Sequence, residues 1–375
     1  MQSISIMHVV LEPRYSGAEI LARDLAQHQM HAGHRASITA FRPTQQSFAR
    51  QMDQLAQQGC RLAVPDEPLS GWRRAAWIHT AVKAFQPDIV FAHTALPSLY
   101  TRLALRFSRR LVVVSVLHSD DDYREARMRR IERFLYRRHA AVIGVNSKCV
   151  ENYRRRVTAR IPVQVILNGV HLEHFARLTK EHENLRRLLY APAPGEIIAL
   201  QVGRITVQKQ QHLSVEALIQ LQDRGISNVR LVLVGSVDEP DYYSRMMARA
   251  REGKVAHRLQ VLGSRSDVAE LLTGADVYLM PSIGEAHSIA ALEALAAGPY
   301  CIFSGIYAFQ PLGHHPGVSL IGDPPSAADL ANALHDVLTE ERWRQRFARN
   351  LLDLSFERCA AQYLDLAIRL LNPAR

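Results

Sequence analysis

Cysteine is scarce in this sequence, and its few copies are scattered. They show no CxxC pair and no Cys/His spacing of the kind that holds zinc, so we expect buried free thiols in a reducing compartment. The four cysteines are Cys60, Cys149, Cys301 and Cys359. A disulfide-stabilised secreted domain and a zinc-binding module are therefore both disfavoured.

Long apolar runs are also absent. No stretch approaches the ~20 residues that a helix needs to cross a bilayer. The N-terminal run at residues 4–11 is short and is followed at once by Glu12 and Pro13, which is untypical of a signal peptide. We expect a cytoplasmic protein, either soluble or peripheral on the inner face of the plasma membrane.

Two nucleotide-binding signatures are missing as well. A dinucleotide-binding dehydrogenase carries G-x-G-x-x-G after its first strand, and a P-loop enzyme carries G-x-x-x-x-G-K-[ST]. Neither pattern occurs in this chain. Both enzyme classes are therefore disfavoured.

Acidic residues are few in one basic part of the chain. The formal net charge is +10, and residues 124–160 contain twelve Lys/Arg against three Asp/Glu. An anionic membrane surface, a nucleic acid or a phosphorylated substrate would suit such a stretch. A solvated helix face is the plainer alternative.

Strand-like and helix-like segments alternate along most of the chain. The strongest strand pattern of the first half is LVVVSVL at residues 111–117, and continuous apolar strands of this kind indicate a parallel sheet covered on both faces. The alternation pauses in the polar, proline-rich residues 168–194, which favours a domain boundary there, and restarts at residues 196–202.

We therefore expect an α/β fold of two Rossmann-like, doubly wound domains that face each other across a cleft. Two domains suit a chain of 375 residues. Residues 1–170 would form the first domain and residues 171–355 the second. Residues 356–375 would form a closing helix that could pack back on the first domain. Ligands of such folds bind at the carboxyl ends of the strands.

The stretch 281–298 (PSIGEAHSIAALEALAAG) is the first place to look for a ligand. Within the helix-forming residues 288–297 the only charge is Glu293, and its neighbours one helical turn away are apolar. A carboxylate buried there is costly unless a partner hydrogen-bonds to it. Glu285 lies eight residues earlier, in or just after the preceding turn.

Glycines and basic residues follow two other predicted strands of the second half. Gly203 and Arg204 come after the strand at 196–202, and Lys209 lies five residues beyond the arginine. Glycine lets the backbone approach a ligand closely, and an arginine with a lysine suits a diphosphate. Gly235 follows the next strand, where a plain turn is the simpler interpretation.

Together these motifs resemble the donor domain of GT4-type glycosyltransferases, which are retaining enzymes of the GT-B fold that use nucleotide-diphosphate sugars. The first half resembles the same family, so the likeness covers nearly the whole chain. The matching motifs of the second half are Val202-Gly203-Arg204 with Lys209, Gly235, Ala275-Asp276-Val277, Glu285-x7-Glu293 and Ala297-Gly298. Those of the first half are Ser16-Gly17-Ala18-Glu19 and the hinge Asn168-Gly169-Val170.

The resemblance implies a donor-binding role for several residues of the second domain. Arg204 and Lys209 would neutralise the donor diphosphate as it leaves. Gly203 and Gly235 would lie against the donor, and Glu293 would accept hydrogen bonds from the ribose hydroxyls. Charged hydrogen bonds of this kind contribute roughly 1.5–3 kcal/mol each.

The resemblance also assigns residues to the transferred sugar. Glu285 would hold its hydroxyls, and His118, at the end of a first-domain strand, would lie beside it. Gly17 would let the first-domain loop approach the β-phosphate. Backbone amides at the start of the second-domain helix would meet sugar or phosphate, namely those near His287, Ser288 and Ile289. A buried core histidine is the alternative for His118, and a helix-capping carboxylate is the alternative for Glu285.

Three departures from the family pattern concern sugar selection and loop geometry. Residues 286–288 (Ala-His-Ser) replace the usual Gly-Phe-Gly type of run. His171 stands where the hinge usually has an aspartate, and Ser16 replaces the first glycine of its loop. The phosphate-binding and glutamate positions are all retained.

Other enzyme classes fit the same residues less well. A glycosidase needs two carboxyls about 5–9.5 Å apart, whereas Glu285 and Glu293 would lie roughly 12 Å apart if they shared one helix. The run Asp120-Asp121-Asp122 invites a metal site, but an arginine and a lysine on the diphosphate make a metal redundant. We expect a solvated acidic loop there that pairs with arginines.

The sequence thus predicts a retaining glycosyltransferase that takes a UDP- or GDP-sugar, needs no cofactor or metal, and acts on a glycan or lipid-linked acceptor bound by the first domain. Residues 124–160 would hold it at an anionic membrane, in surface-polysaccharide or lipopolysaccharide assembly. A nucleotide-sugar epimerase of the same fold is one alternative. A basic nucleic-acid-binding protein is the other, although no nucleic-acid-binding module is recognised.

Overall fold

The computed structural model describes residues 3–108, 111–135, 140–158 and 160–372. Residue contacts divide the chain into two units. Unit 1 comprises Met1–Gly169 and Phe356–Arg375, and unit 2 comprises Val170–Ser355. The division falls one residue before the boundary expected from the sequence, and the closing helix is part of unit 1.

Unit 1 is built on a parallel sheet. Its strands are β1 (Ser5–Val10), β2 (Arg35–Ala40), β3 (Arg61–Ala63), β4 (Ile89–His93), β5 (Val112–Leu117), β6 (Ala140–Gly144) and β7 (Val163–Val165). They lie in the order β3-β2-β1-β4-β5-β6-β7. Every residue of the central strands β1, β4 and β5 is buried, because both faces of the sheet are covered.

Helices cover both faces of this sheet. They are α1 (Gly17–His31), α2 (Ala49–Gln57), α3 (Trp72–Phe85), α4 (Ala95–Ala104), α5 (Ala126–Leu135), α6 (Ser147–Arg156) and the closing helix, numbered α14 (Phe356–Leu371). Side chains of α1 and α2 pack on one face and those of α3 on the other. Tyr363 of α14 is fully buried and meets the Phe91 ring edge-on, with the ring centroids 5.5 Å apart.

Unit 2 repeats the architecture with six parallel strands. They are β8 (Ile197–Val202), β9 (Val229–Val234), β10 (Leu259–Val261), β11 (Val277–Met280), β12 (Tyr300–Ser304) and β13 (Val318–Ile321). Their order is β10-β9-β8-β11-β12-β13. The helices are α7 (Leu172–Leu178), α8 (His182–Tyr190), α9 (Gln211–Asp223), α10 (Pro240–Glu252), α11 (Val268–Gly274), α12 (Ile289–Ala297) and α13 (Ala327–Thr339).

The strand order reverses once in each sheet, between β1 and β4 in unit 1 and between β8 and β11 in unit 2. Loops that leave neighbouring strands in opposite directions open a crevice at such a point, and open α/β sheets bind ligands there. The two reversals therefore mark where functional side chains are to be sought.

The polar segment after the hinge is more regular than its sequence suggests. Residues 172–178 and 182–190 form α7 and α8, two helices that the sequence analysis did not predict, and the division between the units lies just before them. Both helices bury an aromatic side chain in the core of unit 2, Phe175 in α7 and Tyr190 in α8. The Tyr190 hydroxyl also donates to the Leu271 carbonyl at 2.7 Å. Tertiary packing of these aromatic side chains therefore stabilises both helices.

The four cysteines are free and buried, as their spacing predicts. Burial raises the pKa of the Cys60 thiol to about 12 and that of Cys301 to about 11. Both thiols are therefore protonated and unreactive at neutral pH. Within the described ranges, no helix combines the length and the apolar character that a bilayer crossing requires.

Candidate active site

Two loops meet where the strand order of unit 2 reverses. One follows β8 and covers residues 203–210, and the other follows β11 and covers residues 281–288. The Ile283 amide donates to the Gln208 carbonyl at 3.0 Å. Gln208 Nε2 donates to the Gly284 carbonyl at 2.5 Å. These bonds make the two loops one surface at the carboxyl edge of the sheet.

Gly203 and Gly235 allow the ends of β8 and β9 to pack closely. Their φ angles are +151° and +150°, which residues with a Cβ rarely adopt. A Cβ on Gly235 would lie 2.1 Å from the Gly203 carbonyl oxygen, so the position cannot take a side chain without moving the loop. Strand packing alone thus explains Gly235. The Gly203 amide donates to the Val234 carbonyl at 2.8 Å.

A carboxylate that the sequence analysis did not single out orients Arg204. Arg204 Nη1 lies 3.0 Å from Asp238 Oδ2, and Ser236 Oγ donates to Asp238 Oδ1 at 2.6 Å. The Arg204 side chain is 35% exposed, so guanidinium donors that do not face Asp238 can reach a ligand. The signal for Asp238 was its place in a short polar loop directly after β9.

Lys209 and Glu285 form an ion pair that joins the two loops. Lys209 Nζ donates to Glu285 Oε1, and the two side chains are only 16% and 10% exposed. Gln201 Nε2 donates to the Lys209 carbonyl at 2.8 Å, which fixes the lysine backbone. An ammonium has three N–H donors and a carboxylate has two oxygens. Both groups can therefore hold a polar ligand while they remain paired.

The helix α12 begins at Ile289, directly after these loops. Ser288 is its N-cap, and Ser288 Oγ accepts a hydrogen bond from the Ala291 amide at 3.4 Å. Glu285 belongs to the loop and not to the helix, so the separation of roughly 12 Å, which assumed a shared helix, does not apply. The first amides of α12 point out of the helix end and suit an anion.

His287 precedes the cap and is uncharged at neutral pH, because burial lowers its pKa to about 4. Glu293 lies in the second turn of α12. Tyr278, a buried residue of β11 that the sequence analysis missed, has a pKa raised well above its usual value. Burial is the main cause, followed by interactions with Cys301, Glu285 and Glu293. Glu285 and Glu293 therefore both disfavour ionisation of the Tyr278 hydroxyl, although one lies in a loop and the other in α12.

The two site residues predicted in the first half lie at the carboxyl edge of the unit 1 sheet. Gly17 is the first residue of α1, and the Ser16 amide donates to the Arg14 carbonyl at 2.9 Å, which tightens the loop before it. His118 directly follows β5, and its Nε2 atom lies 3.1 Å from His93 Nδ1. Gly17 and His118 thus belong to a different unit from the other predicted site residues.

The acidic run after His118 is engaged within unit 1. Asp122 Oδ2 accepts hydrogen bonds from the His118 and Ser119 amides at 3.1 and 3.2 Å. Asp120 pairs with Lys148 at 3.4 Å, and Asp121 is paired with Arg124 and Arg156 at 3.7 and 3.9 Å. Asp121 therefore fits the solvated, arginine-paired loop expected from the sequence, whereas Asp122 is largely buried and does not. Burial raises the pKa of Asp122 to about 6 against the opposing effect of the two amides.

The described residues contain no group of three or more His, Cys, Asp or Glu side chains placed to hold a metal ion. The predicted site residues of unit 2 all lie on the loops that follow β8, β9 and β11 or on α12. They are Gly203, Arg204, Lys209, Gly235, Glu285, His287, Ser288, Ile289 and Glu293. Their roles toward a ligand remain predictions.

Two family models match the chain. The model described as Glycosyltransferase Family 4 matches residues 15–174, and the model described as Glycosyl transferases group 1 matches residues 190–351. The first match lies in the first half of the chain and the second contains the loops described above. Neither description is that of an epimerase or a nucleic-acid-binding protein.

Curated relatives match only part of the chain. A GDP-mannose-dependent alpha-(1-6)-phosphatidylinositol dimannoside mannosyltransferase of Mycobacterium tuberculosis is 29% identical over 209 residues, which are 55% of this chain and 51% of the relative. A UDP-Gal:alpha-D-GlcNAc-diphosphoundecaprenol alpha-1,3-galactosyltransferase of Escherichia coli is 25% identical over 244 residues, 61% and 60% of the two chains. The chain thus spans about half the length of the first relative.

The likeness in three dimensions extends over the whole chain. The crystal structure of Anabaena Alr3699/HepE in complex with UDP and glucose superposes with a TM-score of 0.81 at 19% identity, and the match covers 97% of this chain and 99% of that one. At this identity the likeness shows the fold alone. The expected GT-B fold is confirmed.

Proposed function

The chain belongs to the GT-B glycosyltransferases, and we propose that it is a retaining enzyme that transfers a sugar from a UDP- or GDP-sugar to an acceptor. One observation carries the donor assignment. The loops after β8 and β11 bring Arg204, Lys209 and Glu285 onto one surface beside the start of α12. Cations, a carboxylate and a helix N-terminus together match the charges and hydroxyls of a sugar nucleotide.

The diphosphate is assigned to the cationic part of this surface. Arg204 and Lys209 supply two fixed positive charges, and the first amides of α12 add donors at the positive end of its dipole. Charge that develops on the leaving diphosphate is best stabilised by such pre-oriented groups. Because Arg204, Lys209 and these amides can all donate hydrogen bonds to the phosphates, we propose that the reaction needs neither a metal nor another cofactor.

The hydroxyls of the donor are assigned to the two glutamates. Glu293 accepts hydrogen bonds from the ribose, and Glu285 accepts them from the transferred sugar while it stays paired with Lys209. The Lys209 ammonium, which stabilises the leaving diphosphate, is thus bonded to the Glu285 carboxylate, which binds the transferred sugar. His287 and Ser288, which depart from the family pattern, lie beside this contact and would influence which sugar is accepted.

The base is left open between uracil and guanine. One curated relative is named for GDP-mannose and the other for UDP-Gal. The retaining stereochemistry rests on the family resemblance and on no single residue of this chain.

Titration calorimetry tests the donor proposal. The protein should bind UDP or GDP, and Glu293→Gln should weaken that binding about tenfold or more, because a charged hydrogen bond contributes roughly 1.5–3 kcal/mol. A 2′-deoxynucleotide should bind equally weakly to both proteins if the Glu293 carboxylate holds the 2′-hydroxyl. Glu173→Gln, an exposed position on α7, is the control. No binding of any nucleoside diphosphate would overturn the proposal.

The acceptor is proposed to be a glycan or a lipid-linked sugar bound by unit 1, in surface-polysaccharide or lipopolysaccharide assembly. The printed names of both curated relatives include a lipid, phosphatidylinositol in one and diphosphoundecaprenol in the other. Unit 1 also shows exposed aromatic side chains beside its basic stretch. Phe107 and Phe134 are 86% and 72% exposed, and the Arg106 guanidinium lies 4.9 and 5.1 Å from their ring centroids.

This surface suits an anionic membrane, which takes aromatic rings at its interface and arginines at its headgroups. Part of the basic stretch 124–160, at residues 136–139 and 159, lies outside the described residues. In the described part, Arg127 and Arg130 of α5 are exposed. Each basic residue near an anionic surface contributes about 1 kcal/mol.

Vesicle sedimentation tests the membrane proposal. At low salt the protein should sediment with vesicles of anionic lipid and not with neutral ones. Phe134→Ser should reduce this binding, whereas Leu188→Ser, which removes an 80% exposed apolar side chain from α8 of unit 2, should not. Equal sedimentation with neutral and anionic vesicles contradicts the proposal.

A further inference from the structure

Three histidines and one glutamine form a continuous line of side-chain hydrogen bonds across unit 1. Gln29 Oε1 of α1 lies 2.9 Å from His8 Nε2 of β1. His8 Nδ1 lies 3.0 Å from His93 Nε2 of β4. His93 Nδ1 lies 3.1 Å from His118 Nε2, just past β5. These four residues are called the histidine line below.

The line runs from the core to the surface. Gln29, His8 and His93 are buried, whereas His118 is partly exposed. Burial lowers the pKa of His8 and of His118 to about 4, and that of His93 well below its usual value. Each imidazole is therefore neutral at pH 7 and carries a single N–H.

Three neutral imidazoles in series can share their protons in only two ways. Each contact between two rings needs one N–H and one lone pair, so all the N–H groups must point the same way along the line. The Gln29 amide selects the direction. Its carbonyl oxygen faces His8, which requires the proton on His8 Nε2 and leaves His8 Nδ1 as an acceptor.

We propose that Gln29, His8 and His93 are positioning residues that hold His118 in its Nε2–H tautomer. The requirement passes from ring to ring: His93 donates through Nε2 to His8, and His118 donates through Nε2 to His93. The Nδ1 atom of His118 is then a hydrogen-bond acceptor. Its partner must be a donor such as a hydroxyl, which is the group that a sugar presents.

The line does not conduct protons across the unit. A proton taken up at His118 Nδ1 could move inward from ring to ring, but it would stop at His8 because a carboxamide cannot accept it. The line therefore sets the tautomer of a neutral ring. This separates the proposal from general acid–base catalysis, in which His118 would have to gain and lose a proton.

Burying these polar side chains costs folding free energy, which favours a functional reason for their presence. Two buried polar rings, those of His8 and His93, replace apolar side chains that the sheet face would accept, and polar groups are buried at a penalty. Gln29 Nε2 is also buried with no hydrogen-bond partner. Turning the amide would pair its nitrogen with His8 and would reverse every bond of the line, so the direction is a property that can be measured.

Nitrogen NMR of protein labelled with ¹⁵N-histidine measures it directly. We expect the signals of His118, His93 and His8 to show a protonated Nε2 and an unprotonated Nδ1 at pH 7. The spectrum needs no ligand, so it tests the line whether or not the protein transfers sugars. An Nδ1–H tautomer at His118, or a mixture of the two tautomers, overturns the proposal.

Two variants on the same helix sharpen the test. Gln29→Met removes the group that sets the direction, and the three histidine signals should then show mixed tautomers. Gln27→Met, a partly buried position two residues away on α1, should leave them unchanged. Unaltered signals in Gln29→Met contradict the proposal. If that variant does not fold, the spectrum of the unaltered protein still decides the tautomer.

The effect on catalysis rests on the proposed function. Once a donor and acceptor are known, Gln29→Met should lower kcat/KM about three- to tenfold, the size expected for one misdirected neutral hydrogen bond. Nucleotide binding in unit 2 should not change. If the histidines show the proposed tautomers but the protein transfers no sugar, the proposed function alone is refuted. If the enzyme is active but its histidines show mixed tautomers, the proposal about the histidine line alone is refuted.

Discussion

At the scale of single residues, the Lys209–Glu285 pair is the contact on which the donor proposal depends most. Both side chains are largely buried, so removing either one leaves a charge without its partner. An uncompensated buried charge commonly costs about 3–5 kcal/mol, whereas exposed pairs contribute about 0–1 kcal/mol. The pair therefore stabilises unit 2 independently of its proposed role toward the donor.

Lys209→Met and Glu285→Gln should each destabilise unit 2 by about 3 kcal/mol, and the double variant should lose less than the sum of the two. Unfolding monitored by hydrogen exchange in β8 and β11 measures both effects. Glu341→Gln breaks the exposed Arg344–Glu341 pair and serves as the control, with an expected change below about 1 kcal/mol. Additive effects of the two changes would mean that the residues are not coupled.

Gly235 offers a second prediction at this scale, because its Cβ position lies 2.1 Å from the Gly203 carbonyl oxygen. Gly235→Ala should destabilise unit 2 by about 2–3 kcal/mol, from overpacking added to an unfavourable φ. Gly225→Ala is the matched control, since Gly225 also has a positive φ but nothing lies within 4 Å of its Cβ position. If thermal unfolding shows equal losses, backbone strain alone explains Gly235.

At the scale of elements, a buried ion pair fixes α5, the helix that carries the exposed Phe134. Arg102 Nε of α4 lies 3.1 Å from Glu132 Oε1 of α5, and both side chains are fully buried. Arg102 Nη2 donates to Ser115 Oγ of β5 at 2.8 Å, and the Tyr153 hydroxyl donates to Glu132 Oε1 at 2.8 Å. Three elements, α4, β5 and α6, thus hold one face of α5 inward.

Glu132→Gln should loosen α5, because it leaves the Arg102 charge buried without its counter-ion at a cost of about 3 kcal/mol or more. Hydrogen exchange of the α5 amides should accelerate, and binding to anionic vesicles should weaken as the helix loses its orientation. Glu125→Gln, at an exposed position just before α5, should change neither property. Equal behaviour of the two variants would show that α5 is held by its apolar contacts alone.

The sequence predicts elements better than it predicts side-chain partners. The strands β8 and β11 follow from continuous apolar runs, and Glu293 attracts attention because its helix is otherwise uncharged. The position of Asp238 after β9 gave a signal, but its contact with Arg204 could not be predicted because the two residues lie far apart in the chain. The same holds for the contact of Gln208 with Gly284. The helices α7 and α8 were missed because their charged residues and the prolines that follow them were interpreted together as one boundary segment.

Fold and family could be predicted for a different reason. The resemblance uses several short motifs at once, and those that contain Gly17, Gly203 and Gly235 follow the carboxyl end of a predicted strand, where α/β folds place ligand contacts. The histidine line escaped notice because its members come from two strands, the loop after a third strand, and a helix. His8 and His93 each stand alone in an apolar run, where a lone histidine gives no signal.

At the scale of the whole molecule, buried histidines make stability depend on pH. The ordinary histidine pKa is 6.5, whereas His8, His118 and His287 have a pKa of about 4 in the folded protein. Between these values the unfolded chain binds protons that the folded chain does not, so stability falls as pH falls. For His8 alone, lowering the pH from 6.5 to 5 costs between about 1 and 2 kcal/mol.

Asp122 acts in the opposite direction. Its pKa is raised to about 6 from 3.8, so the folded protein binds a proton in this window that the unfolded chain does not, and acid adds stability there. The histidines outnumber it, and we expect a lower Tm at pH 5 than at pH 7. His8→Gln should shrink this difference and Asp122→Asn should enlarge it. Thermal unfolding of the three proteins at both pH values measures the signs, and a shift in the same direction for both variants would show that these groups do not control the acid response.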